Sequence, residues 1–424
     1  MDPTRPTPDA RDTLVTPPSR GTAYAVSSVD GLTLIGVSHR RGGIDALETW
    51  HERLRPDDVA AHLLAVGVSS WVTIATCNRW DVVLARPPGV DLATVRAALT
   101  PSGAHCRPYA YEGEAALEHL TRVAASLESL NPGEDQIMRQ VRDAYALARR
   151  SGRDDATLAF AFDTALRLAK RVRREVALAP LNTSLFSLAR SDLERVLAHG
   201  GRALVVGAGE MGELAARALG AMAGVRVSVA NRDFDKAERV ARAVGGEAIA
   251  LDDLAATPRD AEVLVAATPV RALVGERVLR AMPSLRLAID LGVPRTVDQA
   301  AAAICDVEVI DVARLQVAGE ARRRALVGRL GDAERVVLSG LDEAVGAWNE
   351  RQLAPSIRAI VDHYLELVGD RLPPAEAERL ARAVARVPIK GLRAVAREYG
   401  MAAASTFLAE TGLHALELES RTRR

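Results

Sequence analysis

Residues 201–232 read GRALVVGAGEMGELAARALGAMAGVRVSVANR and have the pattern of one strand–turn–helix–strand unit. The apolar run 203–206 leads into an Ala/Leu-rich helical segment, and a second predicted strand at 225–230 follows. In such a turn one glycine allows the bend, one lets the backbone approach a pyrophosphate, and one permits close helix–strand packing. The stretch therefore predicts a Rossmann dinucleotide-binding domain. Its expected cofactor-binding residues are Gly207, Ala208, Gly209, Glu210, Met211 and Gly212.

The second predicted strand ends in Asn231 and Arg232, where an NAD site usually has Asp or Glu for the ribose 2′-hydroxyl. A guanidinium suits a 2′-phosphate, so both residues are assigned to the cofactor site and NADP(H) is favoured over NAD(H). The alternative interpretation is a Rossmann-like domain with an exposed arginine and no cofactor.

The composition is that of an ordinary soluble protein. Lys plus Arg equals Asp plus Glu at 55 each, so DNA is not an expected partner and any RNA contact depends on local patches. No apolar run is long enough to cross a bilayer and no signal-peptide pattern is present, which predicts a cytoplasmic protein without membrane contact. The three cysteines, Cys77, Cys106 and Cys305, form neither a disulfide framework nor a metal cluster.

The chain divides by pattern into four segments. A Pro-rich extension at 1–29 is expected to be disordered, and an α/β domain with polar groups at strand ends follows at 30–178. The Rossmann domain is expected at 179–314, with further parallel strands at 262–267 and 285–291. Residues 315–424 read as helical, beginning with one long connecting helix over 315–348, and the tail predicts a homodimer.

Two residues have side chains suited to catalysis. Cys77 lies at a strand end beside Arg79, whose guanidinium is expected to lower the thiol pKa and favour a nucleophilic thiolate. The alternative for Cys77 is a half-buried structural thiol. His119 lies on an apolar helix face, where it is either a structural group or, with a pKa near neutrality, a general acid. A polar series from Ser129 to Gln140 surrounds the Pro132-Gly133 break and suits a small polar substrate or a helix cap.

Taken together, these residues resemble the glutamyl-tRNA reductase family over residues 32–393. The most specific segments are GVSH at 36–39, TCNR at 76–79 and residues 119–140. Further matches are AKRVR at 169–173, GAGEMG at 207–212 with NR at 231–232, and DLGVPR at 290–295. The resemblance implies a catalytic domain at 30–178, an NADP-binding Rossmann domain and a helical dimerisation domain. It also implies a hinge motion that brings the nicotinamide to Cys77.

The resemblance further implies NADPH-dependent reduction of glutamyl-tRNA to glutamate-1-semialdehyde, the first committed step of tetrapyrrole synthesis by the five-carbon route. Cys77 would form a thioester with the glutamyl group, and His119 would assist proton transfer. Arg79 would meet the substrate carboxylate. The implied substrate-binding residues are Thr76, Asn78, Arg79, Ser129, Glu134, Asp135, Gln136 and Gln140.

Three segments depart from the family pattern: 40–43, 131–136 and 266–269. They motivate two alternatives, a non-catalytic member that binds tRNA or a partner enzyme, and an NADP-dependent reductase of another acyl substrate. The resemblance also implies a complex with the aminomutase that acts on the aldehyde product.

Overall fold

The computed structural model describes residues 29, 31–134, 136–176, 178, 185–256 and 259–410. The extension expected at 1–29 therefore lies almost entirely outside the described residues. The chain forms a compact unit over residues 29–345 and a second one that contains the residues from 346 onward. The domain boundaries expected after residues 178 and 314 stay predictions.

The first sheet is antiparallel, and the buried strand β1 lies inside it. The strand order is β2-β3-β1-β4. Helix α1 follows β1 directly and is kinked at Gly43, where φ is 71°. The strands and helices of this part are β1 (Leu32–Ser38), α1 (His39–Arg53), α2 (Pro56–Ala65), β2 (Ser70–Ala75), β3 (Arg79–Ala85), α3 (Leu92–Ala98), β4 (Tyr109–Glu112), α4 (Gly113–Ala124), α5 (Gln136–Arg150) and α6 (Ala156–Glu175).

The second sheet is parallel, in the order β10-β9-β8-β5-β6-β7, which confirms the predicted Rossmann fold. The strand order reverses beside β5, so the carboxyl ends of β5 and β8 border the crevice where such folds bind ligands. Its elements are α7 (Arg190–Val196), β5 (Gly201–Val206), α8 (Glu210–Gly220), β6 (Val225–Asn231), α9 (Phe234–Ala243), β7 (Glu247–Ala250), α10 (Leu251–Ala256), β8 (Val263–Ala266), α11 (Glu276–Arg280), β9 (Leu287–Asp290), α12 (Gln299–Ile304) and β10 (Glu308–Asp311).

The remaining described chain is helical, as expected, but its first helix is interrupted. The elements are α13 (Val312–Ala325), α14 (Val327–Gln352), α15 (Ala354–Val368) and α16 (Pro374–Glu410). The prediction of a single long helix over 315–348 is wrong. The helix is interrupted at Leu326, whose N–H donates to the carbonyl groups of both Arg322 and Arg323. None of the described helices combines the length and apolar composition that a bilayer-spanning helix needs.

Candidate active site

The loop between β5 and α8 requires glycine at two positions. Gly207 has a φ of 110°, and a Cβ atom there would lie 2.5 Å from the carbonyl oxygen of Ala267. A Cβ atom on Gly212 would lie 1.8 Å from the carbonyl oxygen of Gly207, so α8 packs this closely only with glycine. No atom lies within 4 Å of a Cβ built on Gly209, which leaves room for an anionic group at the helix N-terminus.

A polar pocket opens at the carboxyl ends of β5 and β6. Asn231 organises it: its Oδ1 accepts a hydrogen bond from the N–H of Ala208 at 3.2 Å, and its Nδ2 donates to the carbonyl of Asp233 at 2.9 Å. Arg232 is exposed at the rim. The pocket is lined by Val206, Gly207, Asn231, Arg232, Asp233, Lys236, Leu251 and Thr268.

Lys236 is a cation of this pocket that was missed from the sequence. It lies one turn after Arg232, and its Nζ is 3.4 Å from the Asp233 carboxylate, which also caps α9. The signal was available, because residues four apart on a helix start project to the same side. The pocket therefore presents two cations, one of which already has an acidic partner.

The segment containing Cys77 forms the tight turn between β2 and β3. The N–H of Thr76 donates to the Arg79 carbonyl at 2.9 Å. The Thr76 hydroxyl accepts hydrogen bonds from the N–H groups of Asn78 and Arg79 at 3.2 and 3.3 Å. The side chain of Thr76 thus fixes the turn that presents Cys77 at the strand end.

Cys77 faces a pocket formed jointly by the first sheet, α5 and the start of α8. Met211 supplies the contribution from α8, so the structure places it here rather than in the pocket beside Asn231. Glu210 also faces α5: its Oε1 is 2.9 Å from Arg139 Nη1, and it accepts a hydrogen bond from Gln140. The pocket is lined by Thr76, Cys77, Asn78, Ser129, Leu130, Glu134, Gln136, Ile137, Gln140 and Met211. Among the expected substrate-binding residues, Asp135 lies outside the described residues.

The expected lowering of the Cys77 pKa is wrong for this arrangement. Burial, reinforced by the carboxylate of Glu134, raises the pKa of the thiol to about 12, although the backbone N–H of Cys77 opposes the shift. The guanidinium of Arg79 does not contribute because it is directed elsewhere. Cys77 is therefore a protonated thiol at neutral pH in the unliganded protein.

Arg79 is buried rather than substrate-facing, with only 2% of its side chain exposed. Its Nη1 lies 3.1 Å from Asp81 Oδ2, and its Nη2 donates to the carbonyl of Glu128 at 2.9 Å. Tyr109 donates a hydrogen bond to the other oxygen of Asp81. The expected pairing of Arg79 with a substrate carboxylate thus does not match this geometry, because Asp81 already neutralises the guanidinium.

The chain segment 127–129 is held against the TCNR turn from two sides. Asn78 Nδ2 donates to the Glu128 carbonyl at 3.2 Å, beside the bond from Arg79. From α13, Arg323 donates to the carbonyl of Leu127 at 2.6 Å. Sequence reasoning missed Arg323 because nearly 200 residues separate it from its partner. The result is a fixed position for Ser129 in the Cys77 pocket.

His119 lies outside the residues that line the Cys77 pocket. Its ring stacks on Tyr111 with centroids 4.7 Å apart and meets Tyr109 edge-on at 5.3 Å. Burial, together with the charges of Arg79 and Arg122, lowers the pKa of His119 to about 3. The expected near-neutral pKa is therefore wrong, and the imidazole is uncharged at neutral pH.

This low pKa predicts an acid-sensitive fold. The unfolded chain protonates His119 near its ordinary pKa of 6.5, whereas the folded chain does so only near 3, so stability is lost as pH falls between these values. The loss at pH 5 is about 2 kcal/mol. We expect His119→Phe, which keeps the ring contacts, to lose about 2 kcal/mol less than the parent between pH 7 and pH 5. Urea unfolding at both pH values measures the difference, and equal losses in both proteins would contradict the assignment.

Comparison with known proteins gives two family matches. The model of the glutamyl-tRNAGlu reductase N-terminal domain matches residues 35–176. The model of shikimate / quinate 5-dehydrogenase matches residues 187–318. The two matches fall on the part with the antiparallel sheet and the part with the parallel sheet.

Two relatives and one solved structure extend over most of the chain. Glutamyl-tRNA reductase from Methanopyrus kandleri is 33% identical over 387 residues, which cover 86% of this chain and 92% of that protein. Glutamyl-tRNA reductase from Archaeoglobus fulgidus is 31% identical over 361 residues, covering 82% of this chain and 80% of that protein. The solved structure of the Methanopyrus kandleri enzyme matches with 29% identity and a TM-score of 0.49, covering 92% of this chain and 100% of that chain.

Proposed function

Because this chain belongs to the glutamyl-tRNA reductase family, a family of oxidoreductases, we propose that it reduces glutamyl-tRNA to glutamate-1-semialdehyde with NADPH. This is the first committed step of tetrapyrrole synthesis by the five-carbon route. One observation carries the proposal: the pocket around Cys77 is completed by Met211 at the start of α8, the helix that follows the glycine-rich loop. A nucleophile and a dinucleotide site that share a wall suit covalent capture followed by reduction.

In the proposed capture step, Cys77 Sγ bonds to the glutamyl carbonyl carbon, and the ester C–O bond to the tRNA ribose breaks. The thiol proton must leave, because the Cys77 pKa is about 12, and it ends on the departing ribose hydroxyl. Glu134 is the carboxylate that lines the pocket with Cys77, so we assign the transfer of this proton to Glu134. A part for His119 in proton transfer stays a proposal from the family resemblance, because its ring lies outside the residues that line the pocket.

The glutamyl group is proposed to bind among the polar side chains of this pocket. Arg79 acts on the group indirectly, because it holds the Glu128 carbonyl and thereby the segment that carries Ser129. Asp135 stays in the proposed set by family resemblance. The residues proposed to contact the substrate are Thr76, Asn78, Ser129, Glu134, Gln136 and Gln140.

The residues of the pocket at the carboxyl ends of β5 and β6 fit NADPH, which supplies a hydride when bound. The space in front of Gly209 and the N-terminus of α8 suit a pyrophosphate. Arg232 and Lys236 suit the 2′-phosphate, because both line the pocket as cations and no acidic residue stands at position 231 or 232. Asn231 contributes by orienting the loop through the Ala208 N–H.

Arg232→Ala is expected to raise the KM for NADPH by about 10- to 100-fold, which corresponds to the loss of one charge-assisted hydrogen bond to phosphate. The KM for NADH should change little, since NADH lacks the 2′-phosphate. Arg226→Ala is the matched control, because Arg226 is also exposed but lies near the start of β6, whereas Arg232 follows its end. Equal effects on both cofactors would contradict the assignment of Arg232.

The chain is also proposed to act as a homodimer in the cytoplasm. Leu380, Val384 and Val387 on α16 are exposed at 45, 46 and 78% and recur at helical spacing, which suits a helix–helix interface. Since the aldehyde product is unstable, we further propose that it passes directly to the aminomutase that consumes it.

A single-turnover assay tests the proposed function. Purified protein is mixed with tRNA carrying labelled glutamate, with and without NADPH. Label should stay on the protein without NADPH and appear as aldehyde with it. Binding of the charged tRNA without any label transfer would contradict the proposal and favour a non-catalytic binding protein.

A further inference from the structure

Helix α1 is tied to the Cys77 turn at two points. The N–H of His39, at the start of α1, donates to the carbonyl of Asn78 at 3.0 Å. Near the end of the helix, His51 Nε2 lies 3.0 Å from the carbonyl oxygen of Thr76. The carbonyl groups on both sides of Cys77 are therefore bonded to α1, through His39 before the kink at Gly43 and through His51 after it. Because Glu48 and His51 lie on the same side of the kink, the position of this part of α1 and that of the nucleophile are linked.

The same helix is bonded to the nucleotide-binding domain through Glu48, whose side chain is 5% exposed. Glu48 Oε1 accepts hydrogen bonds from the backbone N–H of Arg295 at 2.8 Å and from its Nε at 2.9 Å. Glu48 Oε2 accepts one from Arg271 Nη2 at 3.0 Å. Burial opposes ionisation of Glu48, but the bonds and charge of Arg295 outweigh it and lower the carboxyl pKa. A buried carboxylate with several charge-assisted bonds in good geometry holds its partners in one arrangement.

Both arginines lie in loops at the carboxyl edge of the parallel sheet. Arg271 is in the loop after β8, which also contains Thr268 of the proposed cofactor pocket, and Arg295 is in the loop after β9. The two loops touch, because the Thr296 hydroxyl donates to the Thr268 carbonyl and a Cβ on Gly292 would lie 2.5 Å from the same oxygen. Glu48 therefore holds the edge of the sheet that borders the cofactor crevice.

We propose that Glu48 is a positioning residue that sets the nucleotide-binding domain against the Cys77 pocket through α1, and so serves reduction of the thioester rather than its formation. This inference rests on the proposed function, because reduction of the thioester is the reaction that Glu48 would serve. Glu48 itself touches neither pocket. Its effect passes through two connections, from Glu48 to the loops after β8 and β9 and from α1 to the turn around Cys77.

Glu48→Gln tests the proposal because it keeps the size of the side chain and removes the charge. In single turnover, formation of the thioester without NADPH should stay within about twofold of the parent. Reduction of the preformed thioester should slow by about a hundredfold, as expected when reacting groups are misplaced by about an ångström. Asp45→Asn is the matched control, since Asp45 also bonds Arg295 but is 82% exposed, and it should alter neither step.

A second measurement needs neither tRNA nor cofactor. Because Met211 at the start of α8 covers part of the Cys77 pocket, loosening the domain contact should speed alkylation of Cys77 by iodoacetamide several-fold in Glu48→Gln. Peptide mass analysis separates Cys77 from the half-buried Cys106 and Cys305, whose rates should not change. Arg271→Gln, at a side chain that is 51% exposed, gives the same test if Glu48→Gln fails to fold.

The outcomes separate this proposal from the proposed function. Unchanged reduction and unchanged alkylation would overturn the role of Glu48. Equal losses in thioester formation and reduction would also overturn it, because they indicate a general structural role. If the parent protein forms no thioester at all, the proposed function fails, while the alkylation rates still decide whether Glu48 holds the two domains together.

Discussion

Cys77→Ser is expected to lower the proposed turnover of glutamyl-tRNA by at least about a thousandfold, the size expected when the nucleophile of a covalent mechanism is removed. The serine hydroxyl is a weaker nucleophile, and an ester accepts hydride less readily than a thioester. Labelled glutamate should no longer stay on the protein in single turnover. Binding of the charged tRNA should persist, because the turn is fixed by Thr76 rather than by the thiol.

The chain contains its own controls for this prediction. Cys106 and Cys305 are half-buried free thiols like Cys77, but neither lines the pocket. Cys106→Ser and Cys305→Ser should therefore keep activity within about twofold. If Cys77→Ser retained full reductase activity while a control variant lost it, the assignment of the nucleophile would be wrong.

Asp81→Ala is expected to destabilise the first compact unit by about 3–5 kcal/mol, since it leaves a buried arginine without its counter-ion. Asp81 is fully buried and bonds both Arg79 and Tyr109, and the Nε of Arg79 already has no hydrogen-bond partner. Room for the carboxylate depends on Gly36, where a Cβ atom would lie 2.0 Å from Asp81 Oδ1. Urea unfolding followed by tryptophan fluorescence measures the loss.

Glu112→Ala is the matched control for Asp81→Ala. It also removes the acidic partner of an arginine, but Glu112 and Arg86 are 44% and 21% exposed, so water takes over the solvation of the remaining charge. The expected cost is at most about 1 kcal/mol. Similar losses for both variants would show that burial does not decide the value of the Arg79–Asp81 pair.

The nucleotide-binding unit was predictable because its determinants are local. Gly207 and Gly212 lie within six residues of each other, and the atom that restricts Gly212 is the carbonyl oxygen of Gly207 itself. The close approach of Ala267 to Gly207, by contrast, depends on the loop after β8. The pairing of Arg79 with Asp81 was also within reach, since residues two apart on a strand project to the same face. That spacing brings Asp81 next to Arg79, and an arginine that is paired in this way is not available to a substrate carboxylate.

Other features depend on contacts that no local pattern contains. The pKa of His119 is lowered by its burial and by Arg79 and Arg41, which come from other elements, and only Arg122 lies on the same helix. The placement of Met211 in the Cys77 pocket depends on how α8 meets α5 and the first sheet. The helix break at Leu326 also escaped prediction, because the sequence there has neither proline nor glycine at the break itself.

The bonds of Glu48 also bear on the order in which the protein assembles during synthesis. Its partners lie 223 and 247 residues further along the chain. At about 5–20 residues per second, the ribosome makes them roughly 10 to 50 seconds after Glu48. For that interval the Glu48 carboxylate stays hydrated, which opposes early burial of the face of α1 that carries it. The bonds of Glu48 can therefore form only after the segment that contains Arg271 and Arg295 has been synthesised.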